Sequence, residues 1–283
     1  MSSPVKPKPK ERLKADRILG VDGNWYLHRV VHTQQFEPED EAASQARRFL
    51  GMICKDAGAV RAKRIFVAFD GWAIFRYKLY KLYKGNRGNE GPSGVYDHLD
   101  FLKGYLFAAG IPFVHEKLYE ADDWLCSLAA TYEDVVIGCG DKDAWQYVRP
   151  GMCLYNSASK PEPTKIRCAD VTDKIGLFAH QCVDYQTLIG DKIDNVPQLL
   201  TPAKAQAGLH EWGSINAWAA ADPAFRKWAR RNVEALLLNR KLVKLRGDLE
   251  LEVPLIKWTD DPKVTQGYRD YKAFAGSRSK GLF

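Results

Sequence analysis

Three short apolar runs, each leading to an aspartate, constrain this chain more than any other feature. Ile18-Leu19-Gly20-Val21 runs into Asp22, residues 65–69 run into Asp70, and residues 134–138 lead through Gly140 to Asp141. Helical signals alternate with these runs. Residues 26–33 form one, and 39–57 another, with Ala43, Ala46, Phe49, Leu50 and Ile53 at helical spacing. Residues 97–109 read as a helix that Gly110 stops, and 111–114 as a short extended piece. Residues 120–132 read as a helix whose first acids suit the positive end of its dipole. This alternation predicts an α/β fold, a mostly parallel central sheet sandwiched by helices. In such sheets the carboxyl ends of the strands face one crevice. Asp22, Asp70 and Asp141 are therefore expected to meet.

More acids join them. Glu120-Ala121-Asp122-Asp123 supplies carboxylates at a helix start, Asp143 follows Asp141 across Lys142, and Asp191 and Asp194 stand three apart in Gly190-Asp-Lys-Ile-Asp-Asn. Two unit charges ~4 Å apart repel by roughly 4 kcal/mol at an effective dielectric near 20. Gathered in one cleft, these groups require protonation or cations. Oxygen donors without His or Cys select Mg²⁺ or Mn²⁺. Two such ions can activate water and stabilise the leaving oxygen of a phosphodiester. The plainer alternative is a set of solvated charges and caps, Asp123 and Asp143 being candidates for simple N-caps.

The chain has 283 residues, 46% of them apolar, and a formal net charge of +7. An anionic partner is implied, nucleic acid or an anionic membrane surface. No apolar run is long enough to span a bilayer, and the N-terminus lacks the apolar stretch of a signal peptide. Cys54, Cys126, Cys139, Cys153, Cys168 and Cys182 form no C-x-x-C pair, which points to reduced thiols in a cytoplasmic setting and away from zinc. Residues 1–15 read as a disordered basic arm. The expected division is a core over 16–183, a helical region over 184–250, where 226–246 sets Ala229, Val233, Leu236 and Leu237 among cations, and a C-terminal extension over 251–283. Within the core, residues 75–87 alternate cations with tyrosines, and Gly85, Gly88, Gly91 and Gly94 follow. Cations meet phosphates and aromatic faces stack on unpaired bases. An amphipathic helix with its Tyr and Leu packed inward is the alternative.

LGVDGNWYLHR, VAFDG followed by FRYKLYKLYKGNR, YEADDWLCSLA, IGCGDKDAWQYV and IGDKIDNVP stand in an order that resembles the flap endonuclease family. The bacteriophage 5′–3′ exonucleases and the 5′-nuclease domain of bacterial DNA polymerase I are the members most similar to it. RNVEALLLNRKLVKLR resembles the helical stretch that follows, so the likeness covers about Ile18 to Arg246. The resemblance implies a PIN-like nuclease core with a helical arch at about 71–96, and a duplex-binding helical region behind it. It implies metal ligands at Asp22, Asp70, Glu120, Asp122, Asp123, Asp141, Asp143, Asp191 and Asp194. Asp22, Asp70, Asp122, Asp123 and Asp141 would surround one ion, with Asp143, Asp191 and Asp194 nearer a second. It implies that Arg76, Lys84 and Arg87 contact the scissile phosphate, that Tyr83 stacks on a base, and that Lys192 and Lys204 help bind duplex.

The implied activity is 5′–3′ exonuclease and flap endonuclease cleavage of DNA with 5′ ends or flaps, including RNA–DNA hybrid, leaving a 5′-phosphate and a 3′-hydroxyl. A free-standing, phage-type, monomeric replication or repair enzyme in the cytoplasm is expected. One departure concerns a potassium site. The family has a glycine-rich turn after Asp-Asn-Val-Pro, whereas Gln198-Leu199-Leu200-Thr201-Pro202-Ala203-Lys204 stands here. A turn needing positive φ is strained without glycine, although Pro202 can still open a helix. Two other functions compete: a non-catalytic structure-specific DNA-binding protein on the same scaffold, and a metal-dependent ribonuclease.

Overall fold

The computed structural model describes residues 12–32, 41–86 and 95–251. Its sheet has six strands: β1 (Ile18–Asp22), β2 (Arg64–Phe69), β3 (Phe113–His115), β4 (Val135–Gly138), β5 (Met152–Asn156) and β6 (Thr164–Ile166). Their order is β3-β2-β1-β4-β5-β6, and every pairing is parallel except β5 with β6. The expected mostly parallel sheet is present. Each central strand is apolar at consecutive positions because both of its faces are covered. On one face, Leu19, Val21, Ile65, Val67 and Phe69 pack under helices α1 (Gly23–His32), α2 (Glu41–Val60) and α4 (Leu99–Ala108). On the other, Ile18, Phe66, Ala68, Val135 and Ile137 pack under α5 (Ala121–Thr131) through Trp124, Leu125 and Leu128. Between β2 and α4 lies the short helix α3 (Ile74–Leu79).

The later half is helical, as its pattern suggested: α6 (Cys168–Ile175), α7 (Cys182–Ile189), α8 (Pro202–Trp212), α9 (Ile215–Ala221), α10 (Pro223–Arg231) and α11 (Val233–Val243). Its own core gathers Leu177, Leu188, Leu200, Leu209, Trp218, Phe225 and Leu236. Trp218 and Phe225 stack with centroids 3.7 Å apart, which locks α9 onto α10. Pro202 opens α8 as expected, with Thr201 Oγ1 accepting from the Lys204 amide. α11 returns to the sheet-bearing half. Its Asn239 donates to the carbonyls of Thr187 and Pro197, and Leu242 packs with Ala73, Tyr83 and Val196.

Several expectations need correction. Residues 12–15 are not all part of a loose arm: the Leu13 amide donates to Thr131 and its carbonyl accepts from Glu133, so the chain enters beside α5. Residues 1–11 and the tail from 252 lie outside the described residues. Strands β5 and β6 were not among the expected elements, and the positions of β6 are mostly exposed, without the apolar run that marks the central strands. Within residues 226–246, α10 ends and α11 begins around Asn232, whose amide closes back onto Trp228 and Ala229. The expected boundary at 183 falls inside α7.

Candidate active site

β1 lies between β2 and β4: the connection leaving β1 goes to one side, to β2, and the one leaving β3 crosses back to β4 on the other. Such a switch point opens a crevice between the flanking connections. A cleft of about 580 Å³ is found there, and Asp22, Asp70, Glu120, Asp122, Asp141, Asp143, Asp191 and Asp194 line it. Asp22 ends β1 and Asp70 follows β2 directly. The loop after Asp70 is held close to the segment before α5. Gly71 donates to Tyr119, and a Cβ on Gly71 would stand 1.6 Å from the Glu116 carbonyl oxygen, so no side chain fits. Asp70 Oδ1 in turn accepts from the Ala121 amide at 2.8 Å, an anion at the positive end of α5. The hairpin carrying Asp191 and Asp194 depends on Gly190, whose φ of +65° and contact with the Val196 carbonyl exclude a Cβ. Asp191 Oδ1 accepts the amides of Ile193 and Asp194, which folds both acids toward the cleft.

Electrostatics follow from this crowding. Burial, with the charges of Asp70 and Asp141 added, pushes the Asp22 carboxyl up to about 7. Burial and the neighbouring Asp141 and Asp191 push Asp143 up to about 7 as well. Asp122 is raised well above the carboxylate range by burial and by Asp22, Asp141, Asp70 and Glu120. Its Oδ1 is buried and has no hydrogen-bond partner among the described residues. Burial also opposes the Glu120 anion, but Lys84 and Arg76 outweigh it and hold this carboxyl below its ordinary range. Lys84 bonds Glu120 directly and approaches Asp194 at 4.0 Å, while Lys142 stands 3.7 Å from Asp191. Two lysines thus offset part of a larger negative set.

An orphaned carboxylate oxygen and raised carboxyl groups in an all-oxygen donor set are what a hard divalent cation would relieve. Among the described residues, no three His, Cys, Asp or Glu side chains converge into a finished metal cage. The acids line the cleft instead, which suits a cation that keeps several of its waters.

Three expected site residues have other tasks. Asp123 is 0% exposed and lies outside the cleft lining. It takes a bidentate ion pair from Arg76 at 2.6 and 2.8 Å, and accepts from the amides of Glu120 and Arg246. It is the third residue of α5 and reaches back to the amide of Glu120, which is the N-cap, so Asp123 is not itself the N-cap that the plainer alternative made it. Arg76 is 1% exposed. Its other bonds go to Glu120 Oε2 and the Leu242 carbonyl, so the guanidinium is engaged by protein groups at the edge of the cleft it lines. Tyr83 is 3% exposed, and its hydroxyl lies 3.0 Å from Glu120 Oε2 and 3.1 Å from Asp194 Oδ2. Its ring packs with Ala73, Val196 and Leu242 at the border of the cleft. Arg76, Tyr83 and Lys84 all line the cleft, Asp123 alone of these residues lying behind it. Lys192 and Lys204 are exposed, and Arg87 lies outside the described residues.

The cleft also holds residues that motif reading passed over. Asn24 accepts from the Asp70 amide at 2.9 Å and donates to the Tyr96 hydroxyl, which also meets His28 at the mouth. Gln186 on α7 donates to Asp143 Oδ1 at 2.5 Å. Asn24 was detectable in principle, since it follows the Asp22-Gly23 strand end. Gln186 and Tyr96 reach the cleft from distant segments without a local pattern.

Residues 17–176 match the family model described as the 5′–3′ exonuclease N-terminal, resolvase-like domain. The chain belongs to the 5′–3′ exonuclease family. It is similar to the thermostable DNA polymerase I of Thermus aquaticus, 32% identical over 258 residues, with 85% of this chain and 30% of that protein covered. A match that long necessarily runs through Asp191 and Asp194, beyond the family model. It is also similar to the 5′–3′ exonuclease of Aquifex aeolicus, 35% identical over 159 residues, with 54% of each chain covered. This exonuclease-family chain thus spans only part of the length of the curated relatives it matches. Its fold matches the T5 5′-exonuclease carrying zinc ions, with a TM-score of 0.67 at 17% identity over 91% of this chain and 98% of that one. The catalytic core of Rad2 in complex with DNA substrate matches with a TM-score of 0.53 at 14% identity, over 90% of this chain and 87% of that one.

Proposed function

We propose that this protein is a divalent-metal-dependent, structure-specific 5′-nuclease. It would hydrolyse DNA phosphodiesters near a 5′ end or at the base of a 5′ flap, leaving a 5′-phosphate and a 3′-hydroxyl. The acidic cleft at the sheet's switch point carries this reading, because its raised carboxyl groups and the orphaned Asp122 oxygen fit hard cations. Membership of the 5′–3′ exonuclease family supports it. So do two fold relatives, one with bound zinc and one in complex with DNA substrate.

In this reading Asp22, Asp70, Glu120, Asp122 and Asp141 hold one Mg²⁺ or Mn²⁺, and Asp143, Asp191 and Asp194 a second, in part through water. When bound, the ions supply an activated water and neutralise charge on the phosphate. The protein's own groups do the rest. Asp70, capping α5, and Asp191, folded onto its own hairpin amides, are preorganised by backbone bonds. Lys84, paired with Glu120 in the cleft, would exchange that partner for a phosphate oxygen and offset its developing charge. Lys192 and Lys204 would position duplex by phosphate contact alone. DNA with 5′ ends, or an RNA–DNA hybrid, is the proposed substrate, bound by a monomer.

The test is cleavage of a 5′-flap duplex with Mg²⁺ or Mn²⁺, beside a matched RNA strand. Asp141→Asn should lower turnover by roughly 10²-fold or more while leaving flap binding within about threefold. A protein that binds flaps but never cuts them would be the non-catalytic binder, and preference for the RNA strand would indicate a ribonuclease.

A further inference from the structure

The turn over residues 80–86 is bound to the hairpin over 191–196 by a set of bonds spanning more than a hundred residues of sequence. The Lys84 amide donates to the Asp194 carbonyl at 2.9 Å. Asn195 Nδ2 donates to the Leu82 carbonyl at 2.8 Å. Asn86 Nδ2 donates to Asn195 Oδ1 at 3.1 Å and reaches the Lys192 carbonyl at 3.4 Å. The Tyr83 hydroxyl meets Asp194 Oδ2 from the buried side. Two residues in this clasp, Lys84 at φ 53° and Asn195 at φ 59°, occupy the left-handed region without being glycine. Such conformations cost energy and persist where surrounding bonds over-determine them. Asparagine tolerates that region better than other side-chain-bearing residues. At position 195 it also gives one donor and one acceptor to the opposite turn.

We infer that Asn195, with Asn86 as its partner, is a positioning residue that holds Lys84 and Asp194 in register across the acidic cleft. The inference rests on the proposed nuclease reading, which gives Lys84 its task. Neither asparagine lines the cleft. Their effect runs through the backbone: Asn195 fixes Leu82, two residues before Lys84, while the peptide just before Asn195 accepts the Lys84 amide. Losing the clasp frees the Lys84 turn to shift relative to Asp194. Displacements of about 1 Å at a reacting centre cost on the order of 10²-fold in rate.

Asn195→Gly tests this cleanly, because glycine keeps the left-handed backbone and removes only the side-chain bonds. With Mg²⁺ and a 5′-flap duplex, kcat should fall roughly tenfold or more while KM stays within about twofold. Hydrogen exchange at the Lys84 amide should accelerate with or without metal, and exchange in β1 and β2 should not. Asn86→Ala should give a smaller loss of the same kind, and the double variant less than the product of the two. Parent-like kcat, a loss confined to KM, or faster exchange throughout the sheet would each overturn the inference. If Asn195→Gly fails to fold, Asn86→Ala at an exposed site carries the same two readouts. Lys84→Ala separates the two levels. If it cleaves like the parent, the reading of the cleft fails. If it is impaired while Asn195→Gly is not, only the clasp fails.

Discussion

Arg76 illustrates how one residue's chemistry is set by its surroundings. By composition it belongs with Lys78, Lys81 and Lys84 in a basic segment. In the fold its guanidinium has two carboxylates and a carbonyl as partners, and burial has removed water from all of them. Burial works against its charge, yet Asp123 and Glu120 raise its hold on the proton further still. Removing one member of a buried ion pair leaves an uncompensated charge and costs about 3–5 kcal/mol. Arg76→Met should therefore destabilise the protein by that order in urea unfolding, with any loss of cleavage following the loss of fold. A variant with parent-like stability that has lost only cleavage would return Arg76 to the phosphate. The acids at strand ends were legible because strand and turn signals are local. Arg76 was not: its partners lie 44, 47 and 166 residues away, and no spacing rule connects them.

The parts of the molecule that sequence pattern predicts well are long and locally consistent. α2 spans 20 residues with its apolar face at helical spacing, and it falls close to the expected bounds. β6 has only three residues and an exposed pattern, so its pairing with β5 comes from the sheet edge it meets. The hairpin over 191–196 is the clearest case of an element built for a site. Gly190 turns the chain after α7, the amides of Asp191 and Val196 bond each other's carbonyls, and two acids are delivered to the cleft from the helical half. Gly190→Ala would place a Cβ 2.4 Å from the Val196 carbonyl at a φ that alanine resists. A loss of about 1–3 kcal/mol is expected. Mn²⁺ affinity, followed by electron paramagnetic resonance of the free ion, should weaken with it. Unchanged Mn²⁺ binding in a folded Gly190→Ala protein would show that the hairpin does not set the geometry of Asp191 and Asp194.

At the scale of the whole molecule, the cleft should couple stability to pH and to divalent ions. Asp22 and Asp143, held near 7 by burial and by the neighbouring carboxylates Asp70, Asp141 and Asp191, keep a proton in the folded state that the unfolded chain gives up near its ordinary 3.8. Asp122 shifts in the same direction. Between those values the folded protein binds more protons, so stability falls as pH rises from about 4 through about 7. Glu120, held low by Lys84 and Arg76 against its burial, acts in reverse, but only as pH drops below its ordinary 4.5. His28 and His115 are lowered by partial burial, so they oppose the fall near their ordinary 6.5, two groups against three aspartates. In EDTA, the melting temperature should therefore decline from pH 5 to pH 7.5. Saturating Mg²⁺ should raise it more at pH 7.5 than at pH 5, because the cation and the protons compete for the same oxygens. Asp143→Asn removes one of the raised groups and should flatten the decline without abolishing it. A melting temperature that rises across this range in EDTA and ignores Mg²⁺ at both ends would mean that the acids do not act as one site. They would then be solvated independently, the plainer alternative that their sequence positions also allowed.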